Sequence, residues 1–327
     1  MTRVWTSPLG GYPRNRAVRR LLRDYEMGLV SREEVELALL KNSSVIIGAQ
    51  LASGMDYVTD GMLDWHDPFR PFVSAWRNVT ASELLRYFDN NFFYRVPVFT
   101  GLPEANNTVW PQRVKSLRQL AEPAGFKVVL PGPITFASLS KNASGKSFEE
   151  LAYSIAKLLA REARASVEAG CSFIQIDEPF LSDLGATRDH GALAAELASL
   201  IAKESEHAKT ALAIYFGVPK PEVYEQLLAS RVSCISIDVI DSLSDALKLV
   251  EAKGFPGYCP VLGLVNSRTI YDDDLAKLAD LAVRLARGQE ELGLTTSTWL
   301  DLIPYEYSIK KTRLLGALAE IVRGTLR

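Results

Sequence analysis

The sequence repeats one unit along its length: a short apolar, β-branched run, then a turn with Gly, Pro or Asp, and then a long helical stretch. Eight such runs occur, at residues 4–7, 57–60, 128–131, 173–177, 211–215, 234–238, 261–265 and 297–301. Most are continuously apolar rather than alternating, which is typical of parallel strands covered by helices. The repetition therefore predicts one α/β domain over residues 1–327, a closed (β/α)8 TIM barrel.

Residues 61–127 form the longest gap between these units, between the second and third predicted strands. The gap is rich in aromatic residues, as in W-H-D-P-F-R-P-F and R-Y-F-D-N-N-F-F-Y-R-V-P-V-F. Long insertions in barrels usually lie over one face and often help to build the site. We therefore expect an aromatic-rich insertion that covers one end of the barrel.

Charge and hydropathy exclude several classes of partner. The net charge of −2 gives no support for binding nucleic acid or an anionic membrane, since both require a basic surface. The N-terminus lacks the apolar core of a signal peptide, and no apolar run approaches the roughly 20 residues that cross a bilayer. We expect a soluble, cytoplasmic protein without nucleic-acid or membrane partners.

Residue types that bind metals or act as nucleophiles are sparse. The histidines are His66, His190 and His207, and none has a second ligand at the usual spacing unless W-H-D at 65–67 is counted. Three widely spaced cysteines, Cys171, Cys234 and Cys259, predict no disulfide framework. Cys234 and Cys259 lie in apolar runs, which favours a role as small hydrophobic side chains. The residues alone name no reaction and no catalytic group.

Polar side chains follow most of the predicted strands, where the site of a barrel is built. We predict that a small zwitterionic or polar ligand is bound there, with carboxylates taking an ammonium group and an arginine taking a carboxylate. The predicted substrate-binding residues are Asp60, Asp177, Glu178, Tyr215, Asp238, Asn266 and Arg268; Thr135, Asp241, Asp301 and Glu306 lie at similar positions. The alternative is that acids at strand ends cap the helices that follow.

Two further stretches are candidates for binding. G-P-I-T-F at 132–136 would let backbone approach a ligand closely, or is a plain turn. The basic stretch P-R-N-R-A-V-R-R-L-L-R would hold an anionic tail, or is a solvated helix face.

Seven motifs together resemble a known family. They are, in order, G-G-Y-P-R-N-R-A-V-R-R, G-M-D-Y-V-T-D-G, Y-F-D-N-N-F-F-Y-R-V-P, L-P-G-P-I-T-F-A-S-L-S-K, Q-I-D-E-P-F-L, A-I-Y-F-G and G-L-V-N-S-R-T-I-Y-D-D-D-L. The chain resembles cobalamin-independent methionine synthase, specifically the amino-terminal of that enzyme's two barrels, as a stand-alone single-barrel protein of the archaeal type. The similarity runs nearly end to end.

The resemblance also implies where zinc would be bound. In the family's carboxy-terminal barrel a zinc ion held by His, Cys, Glu and Cys binds homocysteine as the thiolate. These ligands would fall near Ala213 and Tyr215, at Asp238, and near Ile303 or Pro304, so one ligand of four remains. The resemblance therefore implies no metal on this chain, no tightly bound cofactor, and zinc on a separately encoded carboxy-terminal-type catalytic barrel.

The family's folate-binding stretch is the second feature carried over. The family's R-E-L-K stretch contacts the glutamate tail of the folate, and the matching residues here read R-A-V-R, so Arg16 and Arg19 keep the cationic positions. With Arg14 they are the predicted folate-tail residues, whereas Thr100 replaces a further lysine.

The resemblance implies a methyltransferase of methionine biosynthesis. We expect the chain to take part in methyl transfer from a methyltetrahydrofolate-type donor to homocysteine, together with the zinc-bearing barrel. Two alternatives remain: a self-sufficient methyltransferase or lyase on the same scaffold without the usual zinc site, and a non-catalytic pterin-binding barrel. The aromatic insertion motivates the last of these.

Overall fold

The computed structural model describes residues 2–326. The strands are β1 Arg3–Thr6, β2 Tyr57–Val58, β3 Trp76–Arg86, β4 Phe93–Ala105, β5 Gly125–Pro131, β6 Lys141–Asn142, β7 Phe173–Asp177, β8 Lys209–Ile214, β9 Cys234–Asp238, β10 Cys259–Val265 and β11 Glu291–Thr296. The helices are α1 Arg16–Glu26, α2 Arg32–Ala52, α3 Arg70–Ala75, α4 Pro111–Ala121, α5 Pro133–Ser138, α6 Phe148–Glu168, α7 Arg188–Lys203, α8 Pro221–Leu227, α9 Leu243–Lys253, α10 Leu275–Leu285 and α11 Tyr305–Thr325.

Eight parallel strands form the central sheet, in the order β1-β11-β10-β9-β8-β7-β5-β2. The seam between β1 and β2 carries no strand ladder, but Asp56 joins the two edges. Its backbone N–H donates to the carbonyl of Thr6 at 3.0 Å, and its Oδ2 accepts from the Thr6 N–H at 2.8 Å. The sheet is therefore a nearly closed barrel surrounded by helices, which confirms the predicted α/β TIM-barrel fold class.

The barrel interior is filled by side chains in layers, as this fold requires. At the amino-terminal end of the strands, Trp5, Tyr57 and Phe173 pack edge to face, with ring centroids 4.9–5.4 Å apart. Small residues make room for these rings: a Cβ on Gly293 would lie 2.6 Å from the Trp5 ring. The lower half of the barrel is thus an aromatic core, and polar side chains occupy the upper half.

The eighth predicted strand was misplaced. It was expected at residues 297–301, whereas the strand is Glu291–Thr296, and the predicted segment is the loop beyond it and the start of a short 3-10 helix, Leu300–Leu302. The sequence E-L-G-L-T-T lacks a continuous apolar run, because Gly293 interrupts it. A glycine is needed at this position since a Cβ there would collide with Trp5 in the barrel interior. The other seven predicted runs overlap observed strands.

The insertion after β2 forms a long hairpin that the sequence analysis did not predict as strands. Strands β3 and β4 pair antiparallel, and β6 adds to β4. The hairpin tip lies over the carboxyl ends of the barrel strands, where Tyr87 and Phe88 contact Phe216 with centroid distances of 6.1 and 5.6 Å. The predicted position of the aromatic insertion over one end of the barrel is confirmed.

Helix α2 is long and apolar enough, by length and composition alone, to cross a membrane. In the fold it packs on the barrel, with Val35, Ile46 and Ile47 buried. The amide of its Gln50 binds the strand end beside it, donating to the carbonyl of Thr59 at 2.8 Å and accepting from the Thr59 N–H at 2.9 Å.

Candidate ligand site at the barrel mouth

Asp177 lies at the carboxyl end of β7 and is 3% exposed. Its Oδ1 accepts from the Gln175 amide at 2.7 Å, and its Oδ2 accepts from Trp299 Nε1 at 2.9 Å and from the Tyr215 hydroxyl at 3.1 Å. Burial raises the pKa of Asp177 to about 6, against the effect of these donors. The predicted pair Asp177 and Tyr215 is thus in direct contact, and protein donors occupy both carboxylate oxygens.

Lys127 lies beneath Asp177 inside the barrel, and the sequence analysis missed it. Its ammonium donates to the carbonyls of Pro8 and Leu9 and to Gln175 Oε1, at 3.1 Å for Leu9 and 3.0 Å for Gln175. Burial lowers the pKa of Lys127 to about 7, although the Asp177 charge opposes that effect. The sequence offers one signal, because Lys127 interrupts the apolar strand F-K-V-V-L and a buried lysine needs hydrogen-bond acceptors.

Glu178 binds the neighbouring barrel segment, at the turn between β5 and α5. Its carboxylate accepts from the N–H groups of Ile134 at 2.9 Å and Thr135 at 2.7 Å, and from the Thr135 hydroxyl at 2.6 Å. Burial raises its pKa to about 7. Gly132 packs directly on this carboxyl group, where a Cβ would collide with it. In this arrangement Glu178 accepts from the first turn of α5, a helix that precedes it in the chain, rather than capping a helix that follows it, and G-P-I-T-F approaches a protein carboxylate.

Asp60 also binds neighbouring protein groups. Its Oδ1 accepts from the Met62 N–H at 2.9 Å, and its Oδ2 accepts from Arg113 Nη1 at 3.0 Å. Arg113 also pairs with Asp64. Burial raises the pKa of Asp60, and the Arg113 guanidinium opposes that shift. The ion pair joins the loop after β2 to α4, outside the barrel interior.

Asp238 is the last residue of β9, and only one of its two carboxylate oxygens accepts hydrogen bonds from the described residues. Its Oδ1 accepts from the N–H groups of Ile240 at 3.0 Å and Asp241 at 3.1 Å, while Oδ2 is buried without a hydrogen-bond partner among residues 2–326. Burial, and then the charge of Asp241, raise the pKa of Asp238 well above its usual range. A carboxyl group in this position favours its protonated form.

Arg268 connects the loop after β10 to the hairpin tip. Its Nη1 bonds Asp241 Oδ2 at 2.7 Å, its Nη2 donates to the carbonyl of Asp89 at 3.3 Å, and its guanidinium lies 5.8 Å from the centre of the Phe216 ring. The predicted neighbour Asn266 accepts from the Arg268 N–H at 2.9 Å. Arg268 therefore helps to hold the hairpin over the barrel, and Asn266 shapes the loop that carries it.

A cleft of about 550 Å³ opens beside Trp299, between the segment before α1 and the loop before α11. Arg14, Arg16 and Arg19 line this cleft, so the structure brings the three predicted folate-tail residues together. Its other side chains include the aromatic rings of Tyr12, Trp65, Phe92, Trp299 and Tyr305 and the acids Asp301 and Glu306. The cleft thus has a cationic rim, an aromatic wall and a carboxylate edge.

The local sequence explains how the cationic rim is positioned. Asn15 caps α1, because its Oδ1 accepts from the Val18 N–H at 2.9 Å, which points Arg16 and Arg19 outward from the first turn of the helix. Arg14 is half-buried and donates to the carbonyl of Trp65. Burial raises the pKa of Asp301 to about 7, against the pull of the nearby Arg14 charge.

Three bulky residues at this mouth adopt left-handed backbone conformations. The φ angles of Met62, Phe88 and Phe216 are 51°, 52° and 66°. Such conformations are strained for side chains of this size, and they concentrate where a site is held in place by its surroundings. Met62 lines the cleft, while Phe88 and Phe216 pack together under the hairpin tip.

The residues of this chain do not fit the zinc site of the resembling family. Among residues 2–326 there is no group of three or more His, Cys, Asp and Glu side chains that could hold a metal ion. Ala213 lies where the resemblance places a ligand and offers no donor atom, and Tyr215 is bound to Asp177. Ile303, near the last ligand position, is apolar.

A family comparison identifies the chain. The family model for the cobalamin-independent synthase, N-terminal domain, matches residues 73–290, more than half of the sequence. The chain belongs to this family. The predicted resemblance to the amino-terminal barrel of the cobalamin-independent enzymes is therefore confirmed.

Relatives of this cobalamin-independent synthase domain carry the names homocysteine methyltransferase and methionine synthase. The chain is 26% identical over 324 residues to a 5-methyltetrahydropteroyltriglutamate–homocysteine methyltransferase of Streptococcus mutans, covering 90% of this chain and 42% of that protein. It is 26% identical over 174 residues to a methionine synthase of Sulfolobus acidocaldarius, and this match covers 53% of this chain and 51% of that protein. The matched chain thus spans about half or less of the length of these relatives.

Solved structures show the same fold. A B12-independent methionine synthase from Shewanella sp. W3-18-1, in complex with selenomethionine, superposes with a TM-score of 0.79 at 21% identity and 98% coverage of both chains. A putative vitamin-B12-independent methionine synthase from Listeria monocytogenes gives a TM-score of 0.76 at 17% identity, again with 98% coverage of both chains.

Proposed function

We propose that this cobalamin-independent synthase domain holds the methyl donor in a methyl transfer to homocysteine. The donor is of the methyltetrahydropteroyl-glutamate class, and a second, zinc-bearing barrel, acting as a separate chain, activates the thiol. One observation carries the proposal: the cleft joins a cationic rim of Arg14, Arg16 and Arg19 to an aromatic wall. A donor of this class has a flat pterin at one end and a chain of carboxylates at the other.

The cleft matches this ligand at both ends. Guanidinium groups bind carboxylates through paired hydrogen bonds, and Arg16 and Arg19 lie one turn apart on α1, so they can meet carboxylates of successive glutamates. The rings of Trp65 and Phe92 offer apolar faces for the pterin. Residues of this chain thus bind and orient the donor.

The role of the second barrel, activation of the thiol, is inferred from the family resemblance. Family relatives are named as homocysteine methyltransferases, and this chain covers less than half of the Streptococcus mutans relative. The zinc ligands implied for the catalytic barrel do not fit the residues found at the matching positions of this chain. We therefore assign thiol activation to the partner and donor binding to the barrel described above.

The proposal is tested first by donor binding. Titration calorimetry with methyltetrahydropteroyl triglutamate and monoglutamate should show tighter binding of the triglutamate, because it carries more carboxylates for the rim. Replacing Arg16 and Arg19 together by Ala should weaken triglutamate binding about 25-fold, from about 1 kcal/mol for each exposed ion pair. The same change should leave monoglutamate binding less affected.

The matched control is Arg161→Ala, which removes an exposed arginine from α6, outside the cleft. If Arg161→Ala weakens binding as much as the rim variant does, the arginines act through net charge and the cleft is not the donor site. Methyl transfer is then measured with a zinc-bearing catalytic barrel, with and without this chain. Turnover by the isolated chain would favour the self-sufficient alternative, and tight binding without any effect on transfer would favour the pterin-binding one.

A further inference from the structure

Two cysteines lie side by side at the amino-terminal end of the barrel, opposite the cleft. Cys234 on β9 pairs in register with Cys259 on β10. Neighbouring strands are about 4.8 Å apart, and in-register residues of parallel strands project to the same face. That separation lies within the roughly 4.4–6.8 Å between Cα atoms that a disulfide spans. Both residues are free thiols in this structure.

The two thiols differ in access. Cys234 is fully buried in the lower barrel layer with Trp5 and Phe173, while Cys259 packs against that layer and is only partly buried. The ammonium of Lys209 lies at the same opening, 5.3 Å from the centre of the Trp5 ring and 2.6 Å from Glu291. Solvent therefore reaches Cys259 first, in surroundings that contain a cation.

The pairing also separates the acidities of the thiols. The neighbouring thiol raises the pKa of Cys234 and lowers that of Cys259. The Lys209 charge supports the shift at Cys259, and burial together with the Glu291 charge opposes it. Exposure, a nearby cation and a second thiol within reach are the features of a reactive cysteine with a resolving partner.

We propose that Cys234 and Cys259 form a redox-active dithiol that closes to a disulfide between β9 and β10 when a peroxide is the oxidant. The Cys259 thiolate attacks one peroxide oxygen, the O–O bond breaks, and the departing hydroxide takes up a proton and leaves as water. The sulfur of Cys234 loses its proton and attacks the resulting sulfenic acid. The S–S bond forms, the S–O bond breaks, and a second water leaves, so two thiols lose two electrons and the peroxide gains them.

This modification site is independent of the proposed donor site and goes beyond it. The sequence alone favoured small hydrophobic roles for both cysteines, because it does not show that they meet across two strands. Cys171 provides an internal contrast. It is buried, donates to the carbonyl of Phe173 at 3.2 Å, and burial raises its pKa to about 12.

The test uses the full chain in its folded state, treated with one equivalent of hydrogen peroxide. We expect the number of free thiols to fall from three to one, and non-reducing peptide mapping to show a Cys234–Cys259 link that dithiothreitol reverses. Cys234→Ala should stop at a Cys259 sulfenic acid that dimedone traps. Cys171→Ser, the control, should form the disulfide as the wild-type chain does.

Alkylation of the untreated wild-type chain by iodoacetamide gives a second readout that depends on no variant. Cys259 should react at least about tenfold faster than Cys171, since the thiolate is the reactive form. Three free thiols remaining after peroxide, oxidation of Cys171 in place of the pair, or a disulfide between two chains through Cys259 would each overturn the proposal.

Discussion

At the residue scale, three of the strand-end acids, Asp60, Asp177 and Glu178, differ in what their oxygens contact. Glu178 and Asp60 are saturated by backbone N–H groups and an arginine of the barrel wall. Asp177 is saturated by side chains of the mouth, one of which, Trp299, also lines the cleft. Sequence reasoning placed all three correctly at strand ends, yet which donors each carboxylate finds depends on loops far away in the chain.

Asp177→Asn is the first residue-scale prediction. An amide nitrogen cannot accept a hydrogen bond, so either the Gln175 amide or the Trp299 and Tyr215 donors lose their partner, and Lys127 loses its nearest negative charge. We expect the free energy of unfolding to fall by about 1–3 kcal/mol while the barrel still folds. Urea unfolding followed by circular dichroism measures this change. A variant as stable as the wild type would mean that Asp177 is not held as described.

The second residue-scale prediction concerns pH. The pKa of Asp301 is raised by burial to about 7, above the value of about 3.9 for an unfolded chain, so the folded protein binds the proton more tightly. Between pH 4 and 7 the unfolded state loses its proton first, so ionisation of Asp301 destabilises the wild type as pH rises. The Asp301→Asn variant has no carboxyl group to ionise at this position, so it lacks this destabilisation.

The stability of Asp301→Asn should therefore increase relative to the wild type from pH 4 to pH 7, by at most about 1.4 kcal/mol for each pH unit. Urea unfolding of both proteins at several pH values measures the difference. A constant difference across this range would show that Asp301 titrates normally and that its surroundings at the cleft edge do not raise its pKa.

At the element scale, the hairpin of β3 and β4 is the main departure from a plain barrel. Its tip is held by the rings of Tyr87, Phe88 and Phe216 and by Arg268, which bridges Asp241 on the barrel and Asp89 on the tip. The sequence predicted an aromatic cover at this place but no strands. The position of the tip depends on its packing against the barrel mouth, a contact between segments far apart in the chain.

Arg268→Met tests how the tip is held. Losing the Asp241 pair and the Asp89 contact should speed hydrogen exchange at residues 87–92 about fivefold, equivalent to about 1 kcal/mol of local stability. The control, Arg86→Met, removes a 3.5 Å contact to Asp89 that lies within the hairpin itself. Equal protection of the tip in the wild type and in Arg268→Met would mean that aromatic packing alone fixes the hairpin.

At the scale of the whole molecule, Asp56, which lies between α2 and β2, joins the two edges of the barrel sheet. Asp56 Oδ2 accepts from the Thr6 N–H at 2.8 Å and from Arg323 Nη2 at 2.9 Å, so it joins β1, β2 and the last helix across the seam. The strand count in the sequence predicts a closed barrel but gives no indication of how the first and last strands of the sheet meet.

Asp56→Ala should therefore be more damaging than its partly exposed position suggests. It removes the acceptor of the Thr6 N–H and one of the acceptors of Arg323, and we expect the free energy of unfolding to fall by about 2 kcal/mol. Glu320→Ala is the control, because Glu320 bonds the same arginine at 2.7 Å on the exposed side. If urea unfolding shows the same loss of stability for both variants, the loss comes from the ion pairs of Arg323 and not from the contact across the seam.

The sequence by itself determined the class of fold, the family and the cationic stretch at the start of α1. Repeated apolar runs followed by helices, and motifs in a fixed order, are local properties that survive in a linear reading. The tertiary structure decided where the eighth strand lies, that Lys127 reaches Asp177's neighbours, and that Cys234 and Cys259 meet. Each of these depends on contacts between residues far apart in the chain, where packing and hydrogen bonding, rather than local preference, choose the partner.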